Sequence, residues 1–271
     1  MQPHAQGKTN KQRATPYPSL TVEEFTHVAD NIDLFRAGCD WIRSYLAQPH
    51  PQLGRAGNVC PFVAPALAKD SLRIAVVRLS SIGDKRTQIV NAVKLHCNAF
   101  LSLVTPGETH ILHATLVLFP DVSSEEAPDL IDCTKEELKA SFIEQGLMLG
   151  EFHPRNESPG LHNPTFMPLR SPVPMLVIRR MVATDFVFLD RSEYDNVTRL
   201  RYLETYLRVS CIPDSTSRKE VERTAASLRA ELKNSTSQDR DPLESSEVTY
   251  RERQHPNHPT PIKCPHTGFS H

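Results

Sequence analysis

Apolar residues recur along the chain in short blocks, and their spacing predicts the elements. Phe25, Val28, Ile32 and Phe35, then Trp41, Ile42 and Tyr45, keep near-helical intervals up to Pro49. One or two helices are expected there, broken near Gly38. Thr21-Val-Glu-Glu24 has the form of a capping box, in which the threonine and the glutamate satisfy each other's free amides. "LRIAVVRL", residues 72–79, is a short β-branched run and reads as a strand. Between 83 and 104, Ile89, Val90, Val93, Cys97, Phe100 and Leu101 return at helical intervals. "HILHATLVLFP", 110–120, reads as a buried strand. Thr134-Lys-Glu-Glu137 is a second capping box, expected to open a helix through Leu138 and Phe142 that stops at Gly146. "LMLGEFH" is the third strand and ends at Pro154. "VPMLVIRRMVATDFVFL", 173–189, is expected as a long, bent fourth strand, apolar on both faces and so covered on both sides. Ser192 is expected to cap a last helix bearing Tyr194, Val197, Leu200, Leu203 and Leu207. The order β-α-β-α-β-β-α predicts an α/β (or α+β) fold, a mixed sheet of about four or more strands covered by helices.

The flanks lack such periodicity. Residues 1–20 read as a flexible polar arm, 21–234 as a single globular domain, and 235–271 as a disordered tail. That tail holds His255, His258, Cys264 and His266, but their spacing fits no standard zinc site. The whole chain has 271 residues, 39% of them hydrophobic, and a formal net charge of −1. A sizeable core is possible, and the basic footprint of a nucleic-acid binder is missing. No run approaches the ~18 unbroken apolar residues of a membrane helix, and the first residues lack the apolar stretch of a secretory signal. The six cysteines, at 39, 60, 97, 133, 211 and 264, form no CxxC pair. They are expected as free thiols in a cytoplasmic protein.

Candidate chemistry gathers in "GLMLGEFHPRNESPGLHNPTF", residues 146–166. On a strand alternate residues share a face, so Leu147, Leu149, Glu151 and His153 point one way and Met148, Gly150 and Phe152 the other. A carboxylate and an imidazole would leave the sheet together at its rim, and removing His153 there should open no large cavity. His162 follows in a Gly- and Pro-bounded loop that could fold back. The plainer alternative is a hydrogen-bonded surface pair. In "GNVCPFVAPAL", Cys60 precedes a proline-rich helix start, where a thiol could be a nucleophile or soft ligand, or simply a buried small side chain. His110 and His113 fall on opposite faces of their strand and read as strand-end or core histidines. In "VPMLVIRRMV", Arg179 is expected to need an anion, with Glu151, Asp185 or a ligand carboxylate as candidates. The chain has no P-loop, GxGxxG after a strand, GxSxG or HExxH.

The blocks "GNVCPFV", "GLMLGEFHP", "GLHNPTFMPLRSPVPMLVIRRMV" and "TDFVFL" resemble an uncharacterised bacterial and fungal domain family met beside specialised-metabolite genes, over about residues 50–190. More remotely, the strand followed by Gly-x-His-Pro and a loop bearing Asn, His and Arg is similar to the YqcI/YcgG proteins. Members of that group include haem-dependent amino-acid N-hydroxylases, one of them acting in guanitoxin biosynthesis. The resemblance implies a non-covalent haem, with His153 or His162 as the axial iron ligand, and Arg170, Arg179 and Arg180 available for the propionates. Cys60 corresponds to a cysteine near the start of that domain. In this chain the loop reads "LHNP", where that group has Asn-Pro-His. Three functions follow as expectations. The first is a haem-dependent oxygenase (an oxidoreductase, monooxygenase-like) acting on a small nitrogen-containing or peptide-like metabolite in secondary metabolism, with Glu151, His162 and Cys60 as catalytic residues. The second is a non-catalytic ligand-binding or partner protein. The third is a cofactor-free enzyme pairing Cys60 with a histidine.

Overall fold

A computed structural model describes residues 21–103, 111–209 and 216–238. Four strands, β1 (Leu72–Val76), β2 (Ala114–Leu118), β3 (Leu147–Phe152) and β4 (Met175–Arg180), form one sheet in the order β1-β2-β4-β3. β1 pairs with β2 in parallel, and β4 runs antiparallel to both β2 and β3. This mixed sheet with helical cover is the expected α/β architecture.

The helices are α1 (Val22–Asp30), α2 (Ile32–Trp41), α3 (Val63–Ala68), α4 (Lys85–Leu103), α5 (Cys133–Glu144), α6 (Asn196–Val209) and α7 (Thr216–Gln238). The Thr21 capping box forms as expected, with both reciprocal bonds to Glu24. The break between the first helices falls at Asn31, and α2 runs straight through Gly38. A Cβ at that glycine would meet Leu118 and Ile74 at ordinary van der Waals distance, so the packing there does not require glycine. α2 then widens into a π-helical turn, Ile42–Leu46.

Other boundaries shift for local reasons. α5 is preceded by a second π-helical turn, Pro128–Asp132, so Thr134 lies inside a continuous helical run. Its hydroxyl is buried with no hydrogen-bond partner and caps nothing. The reciprocal capping bonds belong to Ser123 and Glu126, just upstream. Asp195, not Ser192, starts α6, its carboxylate accepting from the Thr198 amide and hydroxyl. β4 ends at Arg180, and Ala183–Phe188 form a 3-10 helix where a longer strand was expected. α7 was not expected at all, and its last residues lie beyond the predicted domain boundary at 234.

One face of the sheet carries Val117, Leu147, Leu149, Leu176 and Ile178, packed against Ile89, Val93 and Phe100 of α4 and Leu138 and Phe142 of α5. The opposite face carries Val76, Leu116, Leu118 and Met175, packed against Trp41, Ile42 and Leu46 and against Val63 of α3. These are called the α4/α5 face and the α2/α3 face. A third cluster joins Ile143 of α5 and Met181 to Leu203 and Tyr206 of α6 and to Val221, Ala225 and Leu228 of α7. β4 is therefore covered on both sides, as its double apolar pattern predicts.

Cys39, Cys60 and Cys97 are free. Cys133 is disulfide-bonded, which corrects the expectation of free thiols throughout. No helix among the described residues is long and apolar enough to cross a membrane.

Candidate functional site

The alternation of β3 places its residues as its sequence predicts. Leu147 and Leu149 join the α4/α5 core, whereas Met148 and Phe152 pack on the other side. Glu151 stands on the α4/α5 face, opposite Leu176 in the β4 register, and its side chain is only 12% exposed. His153 follows on the same side but is not at an open rim: its side chain is 0% exposed. The chain wraps over it, because its carbonyl accepts from the Asn156 and Ser171 amides. Replacing it should therefore leave a cavity, contrary to the expectation drawn from the strand end alone.

What these two side chains meet comes from α5. Asp132, at the end of the π-helical turn, places Oδ1 3.0 Å from His153 Nε2. One turn on, Lys135 Nζ lies 3.4 Å from a Glu151 carboxylate oxygen and 2.6 Å from Glu136 Oε1. Four residues further, on the same stripe of the helix, Lys139 is buried. Its ammonium donates to the Tyr194 hydroxyl and lies 4.4 Å from the centre of that ring. The row Asp132, Lys135, Lys139 thus faces the Glu151 edge of the sheet and the segment leading into α6.

The electrostatics of this row are uneven. Burial pushes the Glu151 carboxyl up, and Lys135 opposes that shift only in part. For Lys135, burial acts against the charge, but Glu151 and Glu136 together hold the ammonium above its ordinary range. Lys139 has the opposite balance: burial first, and then the neighbouring Lys135 charge, bring it down to about 8. No carboxylate among the described residues lies within ion-pair distance of Lys139. A buried lysine in that state is a proton donor and acceptor near neutral pH.

The other expected site residues are elsewhere. Cys60 packs beneath the α2/α3 face, among Trp41, Val63 and Met175, so the sheet separates it from Glu151 and His153. A Cys60–His153 pair is thereby ruled out. Arg179 also points to the α2/α3 side, and its Nη1 and Nη2 donate to the two carboxylate oxygens of Asp185, at 2.7 Å each. Its expected anion is internal. Asp185, with its side chain 2% exposed, also accepts from the Val182 amide.

His162 is exposed on a loop that docks onto the segment before α3. Asn163 donates to the Gln52 carbonyl, and Gly54, at a positive φ of 75°, lies against the His162 backbone where any side chain would collide. Beside it an aromatic series runs from Phe152 through Trp41, Tyr45 and His50 to Phe166. Arg170 is exposed, with Nε donating to the Asn156 carbonyl. The motif-rich loops are thus brought together chiefly as packing.

A haem would have to be held by the residues present. An axial imidazole needs one ring nitrogen open to the iron. His153 directs Nε2 at Asp132, and its Nδ1 is enclosed without a partner. Arg179 is committed to Asp185. His153 and Arg179 in this arrangement do not fit the group. Among the described residues no cluster of three or more His, Cys, Asp or Glu side chains could hold a metal ion. The His/Cys residues of the tail lie outside the described residues.

Lys135, Lys139 and Tyr194 were not candidates from sequence. A signal for the lysines existed: Lys135, Lys139 and Phe142 share one stripe, and a lysine in line with a core phenylalanine is unlike a solvent-facing one. A family model described as a domain of unknown function (DUF6875) matches residues 35–222. No curated protein and no solved structure matches the chain.

Proposed function

Starting from a chain that belongs to this family of unknown function, we propose that it is an enzyme acting by proton transfer on a small polar metabolite, with Lys139 and Tyr194 as the reacting pair. The single observation that carries the reading is Lys139, a buried ammonium whose partner is a tyrosine hydroxyl, with no carboxylate among the described residues within ion-pair distance. Strongly displaced titration in a cluster of mixed charges is a mark of catalytic sites. Structural lysines are normally left in water or paired.

In this reading Lys139, poised near pH 8, takes a proton in its neutral form and returns it as the ammonium, with the Tyr194 hydroxyl relaying it to the surface. Glu151 and Lys135 fix the charge at the back of the site, and His153, held by Asp132, orients the end of β3 and is a positioning residue. The remote likeness to YqcI/YcgG proteins proposes haem chemistry in specialised metabolism instead. Since His153 and Arg179 do not fit that cofactor, no step is routed through it.

The test uses a panel of amino, keto and carboxylic acids in deuterated buffer, followed by NMR. The expected result is deuterium entry at an acidic carbon of at least one compound, catalysed by the wild type and reduced at least about 100-fold in Lys139→Met. Exchange at the wild-type rate in that variant, with its fold verified by circular dichroism, would overturn the assignment.

A further inference from the structure

β4 ends in two adjacent arginines, and among the described residues only the first has an anion. Arg180 points to the α4/α5 face, where its guanidinium lies 5.7 Å from the centre of the Phe100 ring. Its Nε is enclosed with no hydrogen-bond partner, and no carboxylate among the described residues lies within ion-pair distance of it. The residue as a whole is half-buried, so the remainder of the guanidinium is reachable from solvent.

A second unsatisfied group lies beside it. Ala114, the first residue of β2, pairs with Arg179, so continuing the register one step places His113, just before the strand, beside Arg180. His113 Nδ1 is likewise enclosed and without a partner. α4 closes the third side with Phe100 and with Cys97, a buried thiol that lies near enough to feel the Arg180 charge. Two orphaned nitrogens of different residues at one place are unusual, because buried polar groups are nearly always paired. A guanidinium partly withdrawn from water is costly unless an anion answers it.

We infer that Arg180, His113 and Phe100 form a binding site for a small organic carboxylate. The two Nη groups at the reachable end of the guanidinium present parallel donors that match the coplanar oxygens of one carboxylate. His113 turns on binding to bring out its enclosed Nδ1–H as a third donor. The Phe100 ring holds the guanidinium plane and so fixes the direction from which the ligand arrives. One fork and one imidazole suit a singly charged, planar group better than a phosphate. The site stands apart from the Lys139 row, so either assignment can fail without the other.

The experiment titrates the full-length protein with sodium acetate and sodium benzoate, against sodium chloride at equal ionic strength. The Arg180 Nε–H resonance is followed by NMR, assigned by its disappearance in Arg180→Lys. The expected result is a saturable shift with both carboxylates and none with chloride. A rise of a few degrees in melting temperature should accompany it. Arg180→Lys, which keeps the charge and loses the fork, should bind acetate roughly tenfold more weakly by thermal shift. His113→Phe should weaken it to a smaller extent, and Lys139→Met should change nothing. No shift beyond that caused by chloride would overturn the site. Tighter binding of inorganic phosphate than of acetate would overturn the carboxylate assignment. If Arg180→Lys does not fold, the Nε–H signal whose half-saturation with acetate moves to higher concentration in His113→Phe serves in its place, and the absence of any such move would also refute the proposal.

Discussion

Arg179 and Arg180 are chain neighbours with the same side chain, and they show how far one pleat of a strand can separate two roles. Arg179 enters the α2/α3 side, meets Asp185 through both nitrogens and is a closed structural unit. Arg180 enters the α4/α5 side and meets an aromatic ring and an unsatisfied imidazole. The same contrast recurs on α5, where Lys135 is flanked by Glu151 and Glu136 whereas Lys139, one turn later, donates to a tyrosine and has no carboxylate among the described residues within ion-pair distance. In each pair one cation is consumed by the fold and its neighbour is left for something else. Where a charge is buried says little about its role; what answers it says much more.

The comparison can be broken experimentally, and the largest effect belongs to the closed unit. Asp185→Ala strips Arg179 of its partner and frees the Val182 amide, and should cost about 3–5 kcal/mol in urea unfolding. A loss under 1 kcal/mol would mean that Arg179 relaxes into water and that the pair is not structural. Next, His153→Ala should cost about 2–4 kcal/mol, because a fully enclosed ring and its bond to Asp132 are both removed. Stability equal to wild type would restore the picture of an imidazole at an open rim.

The third prediction concerns pH. Lys139 is depressed to about 8 from an ordinary lysine value near 10.4. Between those values the unfolded chain holds a proton that the native site has released, so stability rises with pH across this window. Below pH 8 both states are protonated and the penalty is present in full. From pH 8 to 10 the wild type should therefore gain on the order of 2 kcal/mol relative to Lys139→Met. Parallel pH profiles of the two proteins would refute the depressed lysine.

Arg180→Met should change stability by less than about 1 kcal/mol in either direction, because no internal partner is stranded. A loss like that of Asp185→Ala would make the two arginines alike after all. Smallest of all, His162→Ala should remain within about 0.5 kcal/mol of wild type, since the ring is exposed. A larger loss would mean that the imidazole anchors its loop.

How much of this was legible in the sequence follows from which interactions are local. The strands were readable because β-branched runs and period-two alternation are properties of the strand itself, and the side on which Glu151 and His153 stand came with them. Thr21 was readable because its partner is three residues away. α7 was hidden by its polarity: Val221, Ala225 and Leu228 make a stripe at helical spacing, but a thin one among many charges. Thr134 misled because a helix was already in progress when the motif occurred. The site was half legible. Glu151 and His153 share a strand, but Asp132, Lys135, Lys139 and Tyr194 reach them only through tertiary packing. Arg179 and Asp185 were proposed as partners among several, and only the turn after β4 could choose between them. Cys60 shows the remaining difficulty, since no periodicity reveals which side of a sheet a loop will lie beneath.

The strand order has a consequence for how the chain is made. β4 is the last strand to be synthesised, yet it lies inside the sheet, between β2 and β3. At about 5–20 residues per second, the stretch from Leu118 to Met175 takes roughly 3–11 s to leave the ribosome. Throughout that interval one edge of β2 lacks its partner, and β3 lacks its own from the time it is made. Unpaired apolar strand edges are templates for association with other chains. Nascent chains stalled before Met175 should therefore be drawn into aggregates or onto chaperones, whereas chains stalled well past Arg180 should resist both.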